Sequence, residues 1–461
     1  MDFFAQAKAA ILRGEWTAGQ RLPSIRQMAA LKRVSHHTVV SGYARLVGEG
    51  LLEAQQGRGY FVSRWACAAD PAPPPEASPM ADPLYRLLQA TPDKIKLGCG
   101  WLPPSWRDTE TLARAIRKTA RSGQSALVEY GDIQGYPPLR KQLSAHLRRT
   151  ARIEVAPQHI LTTLGATQAL DLILHRLVRP GDHVLVDEPC NGNLIQLIQL
   201  HQGIPLGVPR RRDGPDLDSL DRLLQARPIK AFFCNSTYHN PTGAGLSPQS
   251  AFQVLKRAIE HDFIIVEDDV YGDFQHGPRQ TFAQLDDLDH VIYIGSFSKS
   301  LSASLRIGYI IGARPQVDAL IQLKLLTSVA VPGFCERFVN TILADGSYAR
   351  HIQDIQRKLM TRQRLAQALL KRHGWAFDIQ PDGGMFLWAG HPDLPNLSGY
   401  IRQVEQQGVL LLPGSAFSVS GGFQDKIRIN VAHLGRDAAP YLDVQRASPS
   451  APPRQAAQRR A

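Results

Sequence analysis

A lysine at position 299 stands in the run IGSFSKSLSASLRIG, residues 294–308, among serines and directly behind the apolar stretch VIYIG, with Arg306 seven residues on. A surface-helix lysine ordinarily sits among other charges; a lone ammonium after a hydrophobic strand points to chemistry rather than solvation. Three further clusters share that setting. TTLGATQALDL sets Gly165, Ala166 and Thr167 at the opening of an amphipathic pattern, where the free N–H groups of a helix start suit a phosphate or, more plainly, make an ordinary cap. NSTYHNPTG places Asn240 in a turn after IKAFFCN. FIIVEDDVYGDF ends a strand on Glu267, Asp268 and Asp269, with Tyr271 three residues past Asp268. Such carboxylates can bind a metal, cap a helix or hold a proton on a ring nitrogen.

The elements that must position these clusters are legible as alternation. Short apolar runs (HVLVDE, IKAFFCN, FIIVEDD, VIYIGS) exchange with helical patterns such as TQALDLILHRLV and SAFQVLKRAIEH. That alternation predicts a mostly parallel sheet covered by helices, with its active site at the carboxyl ends of the strands. From about residue 333 a smaller α+β lobe is expected, with a long helix over YARHIQDIQRKLMTRQRLAQALLKRHG and strands at GGMFLWA and KIRINVA.

The first 65 residues are of another kind. FFAQAKAAILRG, LPSIRQMAALKR and VSHHTVVSGYARLVGEG read as three helices, with Ser24 and Ser35 as starts and Gly14 and Gly50 as stops. LLEAQQGRGYFVS follows as two short strands around a Gln-Gly-Arg-Gly turn. This is the layout of a winged helix-turn-helix. Nine basic residues face four acidic ones over this stretch, while the whole chain of 461 residues carries a formal net charge of +12, a surplus that suits a polyanion as well as a solvated surface. Residues 66–83 are rich in proline and alanine and read as an extended linker. The units are therefore expected at 1–65, 66–83, 84–443 and a basic, disordered tail at 444–461.

Composition narrows the class further. A 43% hydrophobic and 20% charged chain is a soluble globular protein, with no apolar run long enough to cross a membrane. The first residues lack a signal-peptide layout. Five scattered cysteines without a CxxC pair argue against a disulfide scaffold or zinc site and favour a reducing cytoplasm.

Taken in order, the clusters of residues 84–440 resemble the fold-type I, aspartate-aminotransferase-like family of pyridoxal-phosphate proteins. The resemblance implies that Lys299 forms a Schiff base with the cofactor aldehyde and that Asp268 pairs with the pyridinium nitrogen, keeping it protonated as an electron sink. It implies that Tyr271 and Asn240 bond the ring's phenolic oxygen. Gly165, Ala166, Thr167, Ser296, Ser298 and Arg306 would hold the phosphate, the arginine supplying a planar fork. Arg428, in DKIRINVAH, matches the arginine that receives an amino acid's carboxylate, and Tyr130 matches a tyrosine presented to the neighbouring subunit of a dimer. One departure stands out: DEPCNGN puts Asn191, after Cys190, where the family presents a ring that stacks on the cofactor.

The head resembles the winged-helix domain of GntR-family bacterial regulators, in LPSIR, VSHHTV, the Tyr43–Leu46 core and the GRG wing. By that resemblance Arg26, Ser35, His36, His37 and Thr38 face double-stranded DNA at two helix starts, and Arg58 on the wing enters or skirts the minor groove. As a metal pair His36 and His37 fail, because neighbouring helix positions point apart and no third ligand is evident. A GntR head, a linker and an aminotransferase-like domain form the plan of the MocR-like branch. That plan implies a homodimeric regulator that senses an amino acid or amine through Lys299. The alternative is a working aminotransferase carrying a DNA-binding head; a DNA-bound scaffold with a dead cofactor pocket leaves the retained Lys299, Asp268, Asn240 and Arg306 unexplained.

Overall fold

The computed structural model describes residues 3–63, 83–89, 93–122, 128–277, 279–435 and 437–444. The chain divides into two compact units, Met1–Asp82 and Pro83–Ala461. The linker expected at 66–83 lies outside the described residues except for Pro83, and the tail expected at 444–461 does so except for Val444.

The first unit holds helices Phe3–Leu12, Ile25–Lys32 and His36–Gly48, then strands β1 (Leu52–Gln55) and β2 (Gly59–Val62). Each helix start has a local reason. Ser24 closes a capping box with Gln27, and the Ser35 hydroxyl accepts from the Thr38 N–H. The hairpin pairs antiparallel from Leu52↔Val62 to Gln55↔Gly59. Its tip turns through Gly57 and Gly59, both at positive φ, which glycine adopts without a Cβ penalty. Helices one and three meet closely at Gly42, where a Cβ would lie 2.5 Å from the Phe3 ring. Tyr43 fills the centre, fully buried, its hydroxyl donating to the Pro23 carbonyl at 3.0 Å.

The second unit is built on eight strands: β3 (Ile160–Thr163), β4 (His183–Glu188), β5 (Ile204–Arg211), β6 (Gly214–Pro215), β7 (Ala231–Asn235), β8 (Ile264–Asp268), β9 (Val291–Ser296) and β10 (Gly308–Ile311). Their order is β3-β10-β9-β8-β7-β4-β5-β6. The contiguous block β9-β8-β7-β4-β5 is parallel, while β10 runs antiparallel between β3 and β9. The parallel strands β4, β7, β8 and β9 end on Glu188, Asn235, Asp268 and Ser296, so the polar clusters of the sequence emerge along one edge. β4 is buried from Val184 to Asp187 and β7 along its whole length, as befits parallel strands covered on both faces.

A smaller sheet, β11 (Phe386–Gly390), β12 (Leu412–Pro413) and β13 (Lys426–Asn430), is antiparallel in the order β11-β13-β12. The smaller lobe begins later than the expected residue 333. Helix Gly333–Ala344 sinks Phe338, Val339, Ile342 and Leu343 into the core of the large sheet. Helix Ser347–Arg372 then spans both cores, giving Tyr348 and Ile352 to the first and Ile355, Leu359, Ala366 and Leu370 to the second. The smaller lobe also recruits an early segment: Ile95 bridges Val409, and Leu97 and Leu102 join its core. Among the described residues no helix is long and apolar enough to cross a membrane.

Candidate functional site

Lys299 sits on the single-turn helix Phe297–Ser300 directly after β9. Burial is the first cause that pushes its amine down to about 8, and the nearby Arg428 guanidinium is the second. The turn is fixed from below by a residue that local pattern did not single out: Arg107 donates to the carbonyls of Leu301 and Lys299. Gly100, also unforeseen, opens the space in front. A Cβ there would lie 3.7 Å from Lys299 Nζ and 3.6 Å from Arg428 Nη2, so amine and guanidinium flank one spot.

Asp268 closes β8 half-buried, and burial pushes its carboxyl up to about 6 although Val270 N–H donates to it at 3.2 Å. Asn235, at the end of β7, braces both neighbours, donating to the Asp268 carbonyl at 2.6 Å and accepting from Asn240 N–H at 3.3 Å. Tyr271 is buried edge-on to Phe386, and burial raises its hydroxyl pKa. Arg428, on β13, is buried between the rings of Phe386 and Phe417, each 4.7 Å from the guanidinium. It donates to Asn240 Oδ1 at 2.7 Å and to the Gly98 carbonyl at 2.7 Å. Desolvation brings even this guanidinium down to about 10. Asn240 and Arg428, 188 residues apart in sequence, thus form one bonded pair.

Beside them lies the helix start expected to form a phosphate cradle. Helix Gly165–Leu177 starts without a side-chain cap, and the Arg306 guanidinium lies over Gly165, where a Cβ would come within 2.9 Å of Nη2. Arg306 holds a left-handed backbone (φ 50) and donates to the Leu164 carbonyl at 3.1 Å. Thr167 and Arg306 are exposed at this start, with Ala166 half-buried between the cradle and the cores. Ser296 is taken up structurally, donating to the Ile307 carbonyl and accepting from Ser298 N–H, whereas Ser298 Oγ is buried without a hydrogen-bond partner among the described residues.

Two expected residues stand apart. Tyr130, expected to serve a neighbouring subunit, is 89% exposed. Asn191 is the N-cap residue of helix Gly192–Leu200, with no ring at that position. Its neighbour Cys190 donates N–H to the Phe417 carbonyl, which ties this turn to the wall behind Arg428.

In the head, Arg26, Ser35, His36, His37 and Arg58 are exposed and Thr38 is half-buried. Ser35 and Thr38 also bond one another, Oγ to Oγ1 at 2.7 Å, so their hydroxyls are engaged in the cap. Among the described residues no group of three or more histidine, cysteine, aspartate or glutamate side chains is placed to hold a metal.

Comparison with known proteins settles the affiliation. Residues 92–442 match the aminotransferase class I and II family, and residues 4–62 match the gntR family of bacterial regulatory proteins. This chain belongs to the MocR-like branch of GntR-type regulators. The MocR-like chain is 30% identical over 453 residues to the HTH-type transcriptional regulator YdfD of Bacillus subtilis, covering 92% of this chain and 91% of that protein. It is 29% identical over 428 residues to the probable rhizopine catabolism regulatory protein MocR of Rhizobium meliloti, covering 89% and 85%. Among solved structures, its fold matches LysN, the α-aminoadipate aminotransferase of Thermus thermophilus, complexed with N-(5'-phosphopyridoxyl)-L-leucine. There the TM-score is 0.73 at 26% identity, over 81% of this chain and 94% of that one. The kynurenine aminotransferase of Pyrococcus horikoshii, in complex with PMP, gives a TM-score of 0.73 at 26% identity over 80% and 93%.

Proposed function

We propose that the MocR-like chain is a transcription regulator that binds double-stranded DNA through its head and senses an amino acid or amine through pyridoxal phosphate held in the large unit. The residues present fit that cofactor. Ser298 Oγ is a buried hydroxyl awaiting a partner, and the uncapped start of helix Gly165–Leu177 under Arg306 is a ready cradle for its phosphate. When bound, the cofactor supplies an aldehyde for amine capture and an electron-withdrawing ring. The chain's own groups do the rest. Lys299 offers an amine that desolvation keeps partly neutral near pH 8. Asp268 would hold a proton at the ring nitrogen, and Asn240 and Tyr271 would bond the ring oxygen. Arg428 receives a carboxylate, which releases its bonds to Asn240 and Gly98.

The observation that carries this reading is the convergence of Lys299 and Arg428 on Gly100. Amine and buried guanidinium flank one spot, so an α-amino acid whose carboxylate Arg428 receives would bring its amino group to the cofactor atom that Lys299 holds. A homodimer fits the surface, because exposed Val128 and Tyr130 and exposed Leu326 and Val329 belong to segments that meet where Gly131 abuts the Val331 carbonyl. A bacterial cytoplasm suits a DNA-binding regulator with free cysteines. Turnover as an aminotransferase is the second reading, favoured by the matching folds of LysN and the kynurenine aminotransferase and opposed by Asn191 where a stacking ring would stand.

The test is titration of the full chain on its own promoter DNA, with and without pyridoxal phosphate and a panel of amino acids, read by fluorescence anisotropy. At least one amino acid should shift the apparent affinity, and Lys299→Ala and Arg428→Ala should each abolish the shift. Absence of specific DNA binding, or an unchanged response in Lys299→Ala, sinks the regulator reading. Sustained release of a 2-oxo acid without any change in DNA affinity establishes the enzyme instead.

A further inference from the structure

Tyr348, which bonds Ser300 beside Lys299, lines a cavity of about 630 Å³, within the ~300–1,000 Å³ range of small-molecule sites. Three stretches of the candidate site continue into a polar cluster beside it, of which Asp273 lines the cavity itself. Asp268 is followed by Asp269, Tyr271 by Asp273 two positions on, and Lys299 by Ser300. These second residues form one buried polar cluster. Tyr348 donates to Ser300 Oγ at 2.7 Å and to Asp273, and His146 Nε2 lies 3.1 Å from Asp273. Arg279 bridges Asp269 at 3.0 Å and Asp273 at 3.4 Å. Gln356 donates to the Asp273 carbonyl at 2.8 Å. Arg279 thus pairs with both carboxylates, and His146 adds a hydrogen bond to Asp273.

The rim is not matched. Arg149 and Arg152, at the end of helix Pro137–Ala151, border the cavity and have no ion-pair partner among the described residues. Leu343 and Ala344, at the end of helix Gly333–Ala344, and Ile352, on the helix that spans both lobes, supply an apolar wall. Two unneutralised guanidinium groups, an apolar wall and a hydrogen-bonding floor together select an occupant that is anionic at one end and apolar in its body. We propose that this cavity is a second small-molecule site, taking a short-chain organic carboxylate, and that its occupancy reaches Lys299 through Tyr348 and Ser300. The binding part stands independently of the regulator reading, because it concerns a cavity that neither Arg428 nor the cofactor cradle lines.

Calorimetric titration of the full-length, cofactor-loaded chain with hexanoate and glutarate tests the site, with hexanamide as the neutral match. Carboxylates can also reach Arg428, so the Arg428→Gln variant is titrated in parallel. Hexanoate and glutarate should still bind Arg428→Gln saturably, and hexanamide should bind more weakly. Arg149→Ser/Arg152→Ser, two surface changes, should weaken the Arg428-independent binding by about tenfold or more, as expected for lost charge-assisted bonds. The proposal is overturned if neither carboxylate binds Arg428→Gln, or if the double variant matches the wild type. Tyr348→Phe keeps the ring and removes the link to Ser300: at saturating probe, any probe-induced shift of the cofactor's visible band should disappear. A shift absent from the wild type, or retained in Tyr348→Phe, overturns the communication to Lys299.

Discussion

In the head, Arg26, His36, His37 and Arg58 stand in water on a thin scaffold of three helices and a hairpin. In the large unit, Asn240, Tyr271 and Arg428 are buried at the carboxyl edge of an eight-stranded sheet, and Lys299 and Asp268 have displaced pKa values because water has been withdrawn. The first region presents charge; the second conditions it. A presented charge can be removed at a graded cost, since solvent and neighbouring cations share its work. A conditioned group depends on everything that excludes water from it. The scaffold beneath each kind of site differs in the same sense, because a domain of about 60 residues buries a smaller share of its surface than a unit several times larger.

The largest expected effect therefore falls on the head's core rather than on either functional surface. Tyr43 is fully buried and ties helix three to Pro23. Tyr43→Ala should cost about 3–5 kcal/mol, a large part of the ~5–15 kcal/mol that holds a domain folded. Differential scanning calorimetry of the full chain should lose the head's transition and keep that of the large unit. DNA binding should vanish while the cofactor's visible absorption persists. Tyr43→Phe, which removes only the bond to the Pro23 carbonyl, should cost about 1 kcal/mol. If Tyr43→Ala moves both transitions together, the two regions do not fold independently and the contrast between them collapses.

A smaller effect is expected on the presented charges. Arg26→Ala and Arg58→Ala each remove one exposed cation, and each should lower the slope of log affinity against log salt by about one if it neutralises a phosphate. Anisotropy titrations across a salt series measure this directly. Neither change should alter cofactor absorption. An unchanged slope in Arg58→Ala removes the wing from the DNA interface.

The sequence carried one of these regions more fully than the other. The head's fold was legible almost residue by residue, because its signals are local: Ser24 with Gln27, Ser35 with Thr38, and the glycines of the Gln-Gly-Arg-Gly turn all act within four positions. The strand ends of the large unit were legible for the same reason, as apolar runs stopping at polar clusters. What escaped was long-range. Nothing near Ile95 announces its pairing with Val409, nothing near Arg107 points to the carbonyls of Lys299 and Leu301, and Gly100 looks like any loop glycine. Helix Gly333–Ala344 has an ordinary amphipathic pattern, which states that it has a buried face but not which core receives it. Asn240 and Arg428 were each singled out by motif, yet their mutual bond follows only from the smaller lobe folding back over the sheet edge.

That bond makes the finest test of conditioning. Lys299 is lowered from 10.5 to about 8 chiefly by burial, with Arg428 as the next cause. The neutral, reactive fraction of its amine thus rises as pH climbs through about 8. The rate at which the cofactor-free chain gains visible absorption on adding pyridoxal phosphate should rise with pH and level off above that value, well short of 10.5. The sign for stability follows from linkage. Because the folded chain holds this proton less tightly than the unfolded one, the contribution of Lys299 to stability increases between about 8 and 10.5 and is least favourable below 8. Arg428→Gln removes the second cause and leaves the first, so the inflection should move up only slightly and remain below 10.5. An inflection that stays fixed means Arg428 does not reach Lys299 electrostatically through Gly100; one that jumps to 10.5 means that charge, not burial, conditions the amine. Either result would redraw the line between a region that presents its charges and one that prepares them.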